Sequence, residues 1–200
     1  MSLEGNHVIF CLGGPGAGKG TQCANVSKNF PVTHLSAGEL LRQEMARPGS
    51  EHGELIDTLI KEGKIVPAEI TVSLLLKAIK EDKHSFFLID GFPRNEENRS
   101  AWFKLADDTG LDTAACICID VSQAEMRKRI MGRSVDSGRT DDNDVSLRKR
   151  FDTFNNETSV VLKWFESVGK LKRINGEGSI EDIFQDMSAF FTELMDKYKQ

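Results

Sequence analysis

The 200-residue sequence has no excess of positive charge, no apolar run long enough to cross a membrane, and only four cysteines. A net charge of −5 argues against a general nucleic-acid binder, which is usually basic. The opening residues MSLEGNH are polar and acidic, unlike a secretion signal. We therefore expect a protein that acts without nucleic acid or membrane, in the cytosol, with nuclear residence left open.

The cysteines exclude a further class of site. Cys11, Cys23, Cys116 and Cys118 form no CxxC pair of the kind that holds zinc or carries out redox chemistry. Three of them lie in strand-like apolar runs, where cysteine usually acts as a small buried hydrophobic residue. We expect all four to be free thiols with a packing role.

Short apolar runs alternate with helical segments along the chain. Strands are predicted at 8–12, 34–36, 86–90, 114–121 and 170–174, and helices at 19–29, 38–46, 54–63, 67–81, 122–131, 144–168 and 180–194. This alternation favours parallel strands joined by right-handed crossovers, in a single domain over residues 1–200. Such doubly wound α/β sheets bind ligands beyond the carboxyl ends of their strands.

The stretch GGPGAGKGTQ directly follows the first predicted strand and opens the first helix. Gly13, Gly18 and Lys19 satisfy the pattern GxxxxGK, in which backbone N–H groups surround a phosphate and the lysine neutralises it. Gly20 departs from the strict pattern, because it stands between the lysine and the hydroxyl of Thr21. The stretch predicts a polyphosphate against the backbone; the alternative is a glycine-rich turn without a ligand.

Arginines are concentrated in places that suit a second phosphate. Six of the eleven arginines lie between Arg127 and Arg150, while Arg42 closes HLSAGELLR and Arg94 follows the strand that ends at Asp90. Phosphoryl transfer needs such an array, because its transition state spreads negative charge over peripheral oxygens. The alternative is a solvated basic surface.

Four stretches, GGPGAGKGTQ, HLSAGELLR, DGFPRNEEN and SGRTDDN, occur in the order and spacing of the adenylate kinase superfamily of nucleoside monophosphate kinases, and the chain resembles that family over essentially its whole length. GKGT is the family's usual form, so Gly20 is no objection. The resemblance implies a P-loop NTPase-type three-layer α/β fold with a five-stranded parallel sheet. It also implies a helical monophosphate-binding arm at 36–67 and a short lid at 132–143, without the cysteines of zinc-bearing relatives and hence without zinc.

Roles for individual residues follow from the same resemblance. It implies that ATP is bound by Pro15, Gly16, Ala17, Gly18, Lys19, Gly20, Thr21, Arg133 and Gly178. It implies that the monophosphate is bound by Ala37, Gly38, Arg42, Ile65, Val66, Gly91, Arg94, Asn98, Arg139 and Arg150. The transferring group is expected to meet Lys19, Arg94, Arg129, Arg133, Arg139 and Arg150. Mg²⁺ is expected to bind through water near Asp90, Asp141 and Asp142.

Ser134 replaces a glycine that is frequent in the family, so the geometry of the lid hinge is expected to differ slightly.

Within the family the chain is most similar to the UMP/CMP kinases, because Ala37 and Asn98 stand where adenylate kinases usually have threonine and glutamine. An asparagine amide carries a donor and an acceptor, so an amide that turns over could read both cytosine and uracil. Adenine presents the same order as cytosine, and one methylene of pocket depth gives only about 1–3 kcal/mol of discrimination. We expect CMP and UMP as acceptors, with dCMP as a further one and a detectable side activity on AMP; the alternative is an adenylate kinase.

The mechanism that the resemblance implies is direct in-line transfer of the ATP γ-phosphoryl group, with closure of arm and lid and without a covalent enzyme intermediate. Members of this length are commonly monomers, and we expect a monomer here. A GTPase-like switch would carry an Asn-Lys-x-Asp stretch after a strand, which this sequence lacks. A non-catalytic nucleotide-binding module would not need the whole set of lysine and arginines.

Overall fold

A computed structural model describes residues 2–133 and 143–198, with the side chain of Arg133 left out. All strands of the sheet run parallel, in the order β2-β3-β1-β4-β5. The strands are β1 (His7–Leu12), β2 (Thr33–Ser36), β3 (Phe86–Asp90), β4 (Asp112–Asp120) and β5 (Leu171–Asn175). The predicted five-stranded parallel α/β fold is confirmed.

The helices are α1 (Lys19–Asn29), α2 (Ala37–Ala46), α3 (Gly53–Lys61), α4 (Ala68–Glu81), α5 (Glu96–Thr109), α6 (Gln123–Arg133), α7 (Asp144–Thr153), α8 (Ser159–Ser167) and α9 (Ile180–Tyr198). A π-helical turn, Phe154–Thr158, joins α7 to α8 without a break. Among the described residues no helix is both long and apolar enough to span a membrane.

The strands β1, β3 and β4 are largely apolar because helices cover both faces of the sheet, whereas the edge strands β2 and β5 carry more polar residues. Successive side chains of a strand point to opposite faces, so Ile9 and Cys11 of β1 pack on one side and Val8 and Phe10 on the other. The first face is covered by α1, α6, α7 and α9, and the second by α2, α4, α5 and α8. The result is a three-layer fold with two cores.

The pairing of β1 with β3 positions the site. Cys11 lies beside Asp90 in the register, and the Gly91 N–H donates to the Cys11 carbonyl at 3.1 Å. The loops that follow these two strands therefore leave the sheet side by side, at the edge where ligands of such folds bind.

The segment predicted as the monophosphate-binding arm contains α2 and α3. These helices have a small core of their own, in which Leu41, Ile56 and Val66 pack with Ile70 of α4. The arm therefore packs mainly on α4, and Ala37 at the start of α2 also joins the core against the sheet. Most of the predicted lid, residues 134–142, lies outside the described residues.

Two differences from the sequence-based expectations concern helices. The predictions missed α5, although Asn95 caps its first turn by accepting from the Asn98 N–H, and Gly110 ends it in the left-handed conformation. The single helix predicted over 144–168 contains the π-helical turn, which no propensity indicates.

Candidate active site

The loop between β1 and α1 has the conformation that an anion-binding loop requires. Gly18 precedes the first turn of α1 with a left-handed φ of 92° and no side-chain cap, so the N–H groups that open the helix have no side-chain partner there. Pro15, Gly16, Gly18, Gly20 and Thr21 line an open cleft at this helix end, here named the phosphate cleft. A helix N-terminus of this kind favours phosphate.

Packing inside the protein, and not only a ligand, excludes a side chain at some glycines of the loop. A Cβ on Gly16 would lie 2.5 Å from the Met126 carbonyl oxygen, and one on Gly14 would lie 2.4 Å from the Met126 sulfur. Gly16 is required by the close approach of the α6 backbone, whereas beside Gly14 only the end of the flexible Met126 side chain stands in the way. Around Gly20, in contrast, no atom lies within 4 Å of a built Cβ. The open space that a phosphate could occupy is therefore at the Gly20 end of the loop.

Lys19 reaches back over its own loop. Its Nζ donates to the carbonyl oxygens of Gly13 at 2.9 Å and Gly14 at 3.0 Å. Burial lowers the pKa of Lys19 to about 8, although the negative charge of Asp90 acts in the opposite direction. A bound polyphosphate would supply the counter-charge that this partly buried ammonium lacks.

Asp90, at the end of β3, forms the floor of the cleft together with two residues of the β2 edge. His34 Nε2 forms a short hydrogen bond with one carboxylate oxygen, and Ser36 Oγ donates to the other at 3.4 Å. Cys23, His34 and Asp90 place one potential metal-ligand atom each within 4.8 Å of one another. Burial raises the pKa of the Cys23 thiol, however, which disfavours the thiolate that a soft metal needs.

Three of the predicted arginines converge. Arg42 of α2, Arg94 after β3 and Arg150 of α7 all line the phosphate cleft and also an adjoining cavity, here named the inner cavity. The inner cavity is lined by nine of the ten residues predicted to bind the monophosphate: Ala37, Gly38, Arg42, Ile65, Val66, Gly91, Arg94, Asn98 and Arg150. The tenth, Arg139, lies outside the described residues.

Asn98 is the most buried polar residue that lines the inner cavity. It is 2% exposed; its Oδ1 accepts from the Arg94 N–H at 3.2 Å, and its Nδ2 is buried without a hydrogen-bond partner among the described residues. Turning the amide over would sacrifice the bond to Arg94. Asn98 therefore offers one fixed donor, rather than the amide free to turn that the sequence-based interpretation assumed.

Other predicted residues lie away from the cleft. Arg129 donates to the carbonyl oxygens of Gly176 at 2.8 Å and Ala17 at 3.4 Å, and it pairs with Glu125, so it braces the phosphate loop against the loop after β5. Ala17 is buried, and Gly178 packs against Asp182 at the start of α9. The side chain of Arg133 and the whole of Asp141 and Asp142 lie outside the described residues.

Several lining residues were not predicted. They are His34, Ser36 and Glu39 in the phosphate cleft, Leu41, Ile60, Gly63, Lys64, Thr71 and Phe92 in the inner cavity, and Thr153, Phe154 and Thr158 in a smaller cavity between Lys19 and Arg150. His34 and Ser36 could have been found, because β2 was predicted to end at the same sheet edge. The last three could not, since their contacts depend on how a distant helix crosses the loop after β3.

Comparison with known proteins agrees with this geometry. The family model described as "Adenylate kinase" matches residues 11–170. "UMP-CMP kinase 3" of Arabidopsis thaliana is 48% identical over 190 residues, covering 95% of this chain and 91% of that protein. The "UMP-CMP kinase" of Danio rerio is 48% identical over 185 residues, covering 90% and 94%. That of Homo sapiens is 44% identical over 189 residues, covering 92% and 96%.

The match therefore includes both loops that border the phosphate cleft, the arm and the helices around the inner cavity. Identities of 44–48% over nine-tenths or more of both chains show a common fold and a common ancestry. The chain belongs to the adenylate kinase family.

Proposed function

We propose that this protein is a nucleoside monophosphate kinase that transfers the γ-phosphoryl group of ATP reversibly to CMP or UMP, giving ADP and CDP or UDP. One observation carries the proposal: Arg94 and Arg150 line both the phosphate cleft that holds Lys19 and the inner cavity that holds Asn98. Two substrates bound in these two places would meet at the arginines. The names of the relatives at 44–48% identity support the same acceptors.

The reaction needs positioning and charge neutralisation rather than a strong base. The acceptor is a phosphate oxygen that is already anionic at neutral pH, so in-line attack on the γ-phosphorus requires no proton abstraction by the protein. Lys19 and the converging arginines neutralise charge on the transferring group. No side chain needs to form a covalent intermediate.

Mg²⁺ fits the residues at the floor of the cleft. The Asp90 carboxylate and the Thr21 hydroxyl are hard oxygen donors on the same cleft wall, and Mg²⁺ commonly keeps its waters while such groups hold them. The ion would neutralise phosphate charge and orient the ATP. Asp141 and Asp142 stay predictions for the same role.

Asn98 and Ala37 are proposed to set the base preference. The buried Nδ2 of Asn98 needs an acceptor. Cytosine offers its ring nitrogen or carbonyl, and uracil offers a carbonyl, so one fixed donor serves both bases. Adenine also offers a ring nitrogen, so this contact alone does not reject AMP, and the alternative function is that of an adenylate kinase.

The testing experiment measures acceptor-dependent ADP release from MgATP with CMP, UMP, dCMP and AMP in separate reactions, against a reaction without acceptor. We expect CMP and UMP to lead clearly and AMP to give a low but measurable rate. AMP in front would leave the kinase chemistry standing and overturn the pyrimidine preference. Absence of acceptor-dependent ADP with all four would overturn the proposed activity.

Cellular context follows from the sequence alone. We propose a cytosolic monomer that uses small-molecule substrates, without nucleic acid or membrane as partners and without a zinc cofactor. The four cysteines are free and buried, as a reducing compartment allows. Size-exclusion chromatography with light scattering tests the monomer.

A further inference from the structure

The π-helical turn lies where the helical segment passes the loop that carries Arg94. Phe154–Thr158 interrupts the α-helical register between α7 and α8, and such turns in otherwise regular helices often accompany functional sites. Thr153, Phe154 and Thr158 line a cavity together with Lys19, Arg94 and Arg150. The irregular turn therefore borders the space between the two proposed phosphate sites.

Two hydrogen bonds between described residues link this turn to the loop. Thr158 Oγ1 donates to the carbonyl oxygen of Arg94 at 2.7 Å, and Thr158 is 5% exposed. Beside it, Asn95 Nδ2 approaches Glu157 Oε2 at 3.4 Å. Thr158 and Arg94 are 64 residues apart, so the contact is tertiary and not a local cap.

Arg94 is held at both ends of its backbone. Its N–H donates to Asn98 Oδ1 at 3.2 Å, its carbonyl accepts from Thr158, and its Nε donates to the Gly91 carbonyl at 2.8 Å. The first of these bonds comes from α5 and the second from the π-helical turn. Arg94 thus stands between two elements that fix its place along the loop.

We infer that Thr158 is a positioning residue for phosphoryl transfer: its hydroxyl fixes the backbone of Arg94, so that the guanidinium bridges the two phosphate sites. The inference rests on the proposed function. Transfer is sensitive to sub-ångström placement, and a displacement of 1 Å away from the reacting atoms can cost about 10²-fold in rate. Without the Thr158 hydroxyl the Arg94 carbonyl would shift toward another donor.

Thr158→Val tests the inference, because valine keeps the shape of threonine and removes only the hydroxyl. We expect a fall of about 10- to 100-fold in kcat/KM for CMP, composed of a lower kcat and a higher KM for CMP. The KM for ATP should stay within about twofold, since the Thr158 hydroxyl bonds to the loop after β3 and the hydrogen bonds of Lys19 within the phosphate loop are left in place. Calorimetry should show weaker CMP binding in the absence of ATP.

Two further variants complete the design. Thr158→Ser restores the hydroxyl and should recover most of the lost activity. Ser159→Ala removes a hydroxyl in the next position, where Oγ donates at 2.7 Å to the Asn155 carbonyl on the exposed side, and should behave as the parent. Melting temperatures of all variants identify any loss caused by unfolding.

The inference would be overturned if Thr158→Val matched the parent, or if the valine and serine variants lost activity equally. A rise in the KM for ATP equal to that for CMP would also contradict it, since that pattern indicates a general distortion. A parent protein inactive toward CMP, UMP and AMP would overturn the proposed function and this inference with it. The failure of the inference alone is therefore distinguishable.

Discussion

The side-chain oxygen of Asn98 accepts a hydrogen bond from the backbone N–H of Arg94 at 3.2 Å. The residue proposed to read the acceptor's base is thus bonded to the residue proposed to hold its phosphate. Asn98 is anchored at its own N–H as well, which donates to Asn95 Oδ1 at 2.9 Å. The residues proposed for base recognition and for phosphate placement therefore belong to one hydrogen-bonded unit at the start of α5.

Replacing Asn98 by alanine tests this unit. The variant loses the donor proposed to meet the base and the acceptor for the Arg94 N–H. Leaving a buried hydrogen-bonding group without its partner costs about 1–3 kcal/mol. We expect kcat/KM to fall by roughly 10- to 100-fold for CMP and for UMP alike. The measurement is steady-state kinetics with each acceptor at saturating MgATP.

A matched control is Asn156→Ala, because Asn156 lies outside the inner cavity on the π-helical turn. A loss confined to one of the two acceptors would contradict a single fixed donor. It would instead support an amide that turns to suit the base.

The glycines of the phosphate loop should separate into two kinds. Gly16→Ala places a Cβ 2.5 Å from the Met126 carbonyl and demands a φ of 80°, so we expect a loss of stability of at least about 1–2 kcal/mol. Gly20→Ala meets no atom within 4 Å and puts a better helix former in the first turn of α1. Its melting temperature should equal or exceed that of the parent, while its KM for ATP rises.

Thermal unfolding followed by circular dichroism, together with ATP kinetics, checks both variants. Equal melting temperatures for Gly16→Ala and Gly20→Ala would show that α6 does not constrain the loop. An unchanged KM for ATP in Gly20→Ala would place the phosphates elsewhere.

Arg94→Ala should abolish most of the transfer and leave the fold intact. The guanidinium lines both the phosphate cleft and the inner cavity, and removal of one such charge-stabilising group costs about 10²- to 10³-fold in kcat. Arg99→Ala is the control in the adjoining helix α5, where Arg99 pairs with Glu96, its Cζ lies 4.5 Å from the centre of the Trp164 ring, and its side chain lines neither cavity. Single-turnover measurement of CDP formation compares the two, and retained transfer in Arg94→Ala would mean that the monophosphate site is misplaced.

Sequence reasoning succeeded where the determinants are local. The phosphate loop is recognisable because its glycines, its lysine and the preceding strand are contiguous in the sequence. The parallel sheet follows from the alternation of buried runs with helices. These features need no knowledge of which distant residues meet.

The remaining features depend on contacts between distant segments. Gly16 was assigned to bound ATP, but the Met126 carbonyl oxygen, 2.5 Å from a Cβ built at that position, also requires a glycine there. Arg129 was assigned to the transferring group by resemblance, and its hydrogen bonds to the carbonyl oxygens of Ala17 and Gly176 could not be read from the sequence. Helix α5 was missed because its charged first turn and few buried residues gave no strong periodicity, although its caps were readable.

Lys19 should give nucleotide binding a pH dependence with a definite sign. Its pKa is lowered to about 8 in the nucleotide-free protein, mainly because burial disfavours the ammonium. Below about pH 8 Lys19 is already charged in the nucleotide-free protein. Above about pH 8 Lys19 is mostly neutral there, and nucleotide binding must take up a proton because the bound phosphates raise its pKa again. The association constant for MgADP should therefore be nearly flat around pH 7 and fall by up to about tenfold per unit above about pH 8.

Isothermal titration calorimetry at about pH 8.5, in two buffers of different ionisation enthalpy, measures this proton uptake directly. The phosphates of ADP are fully ionised there, so the ligand contributes no proton of its own. Lys19→Met should bind MgADP more weakly and without the added pH dependence, since the titrating group is gone. Equal pH dependence in the parent and in Lys19→Met would assign the proton to another group and would contradict a lowered pKa for Lys19.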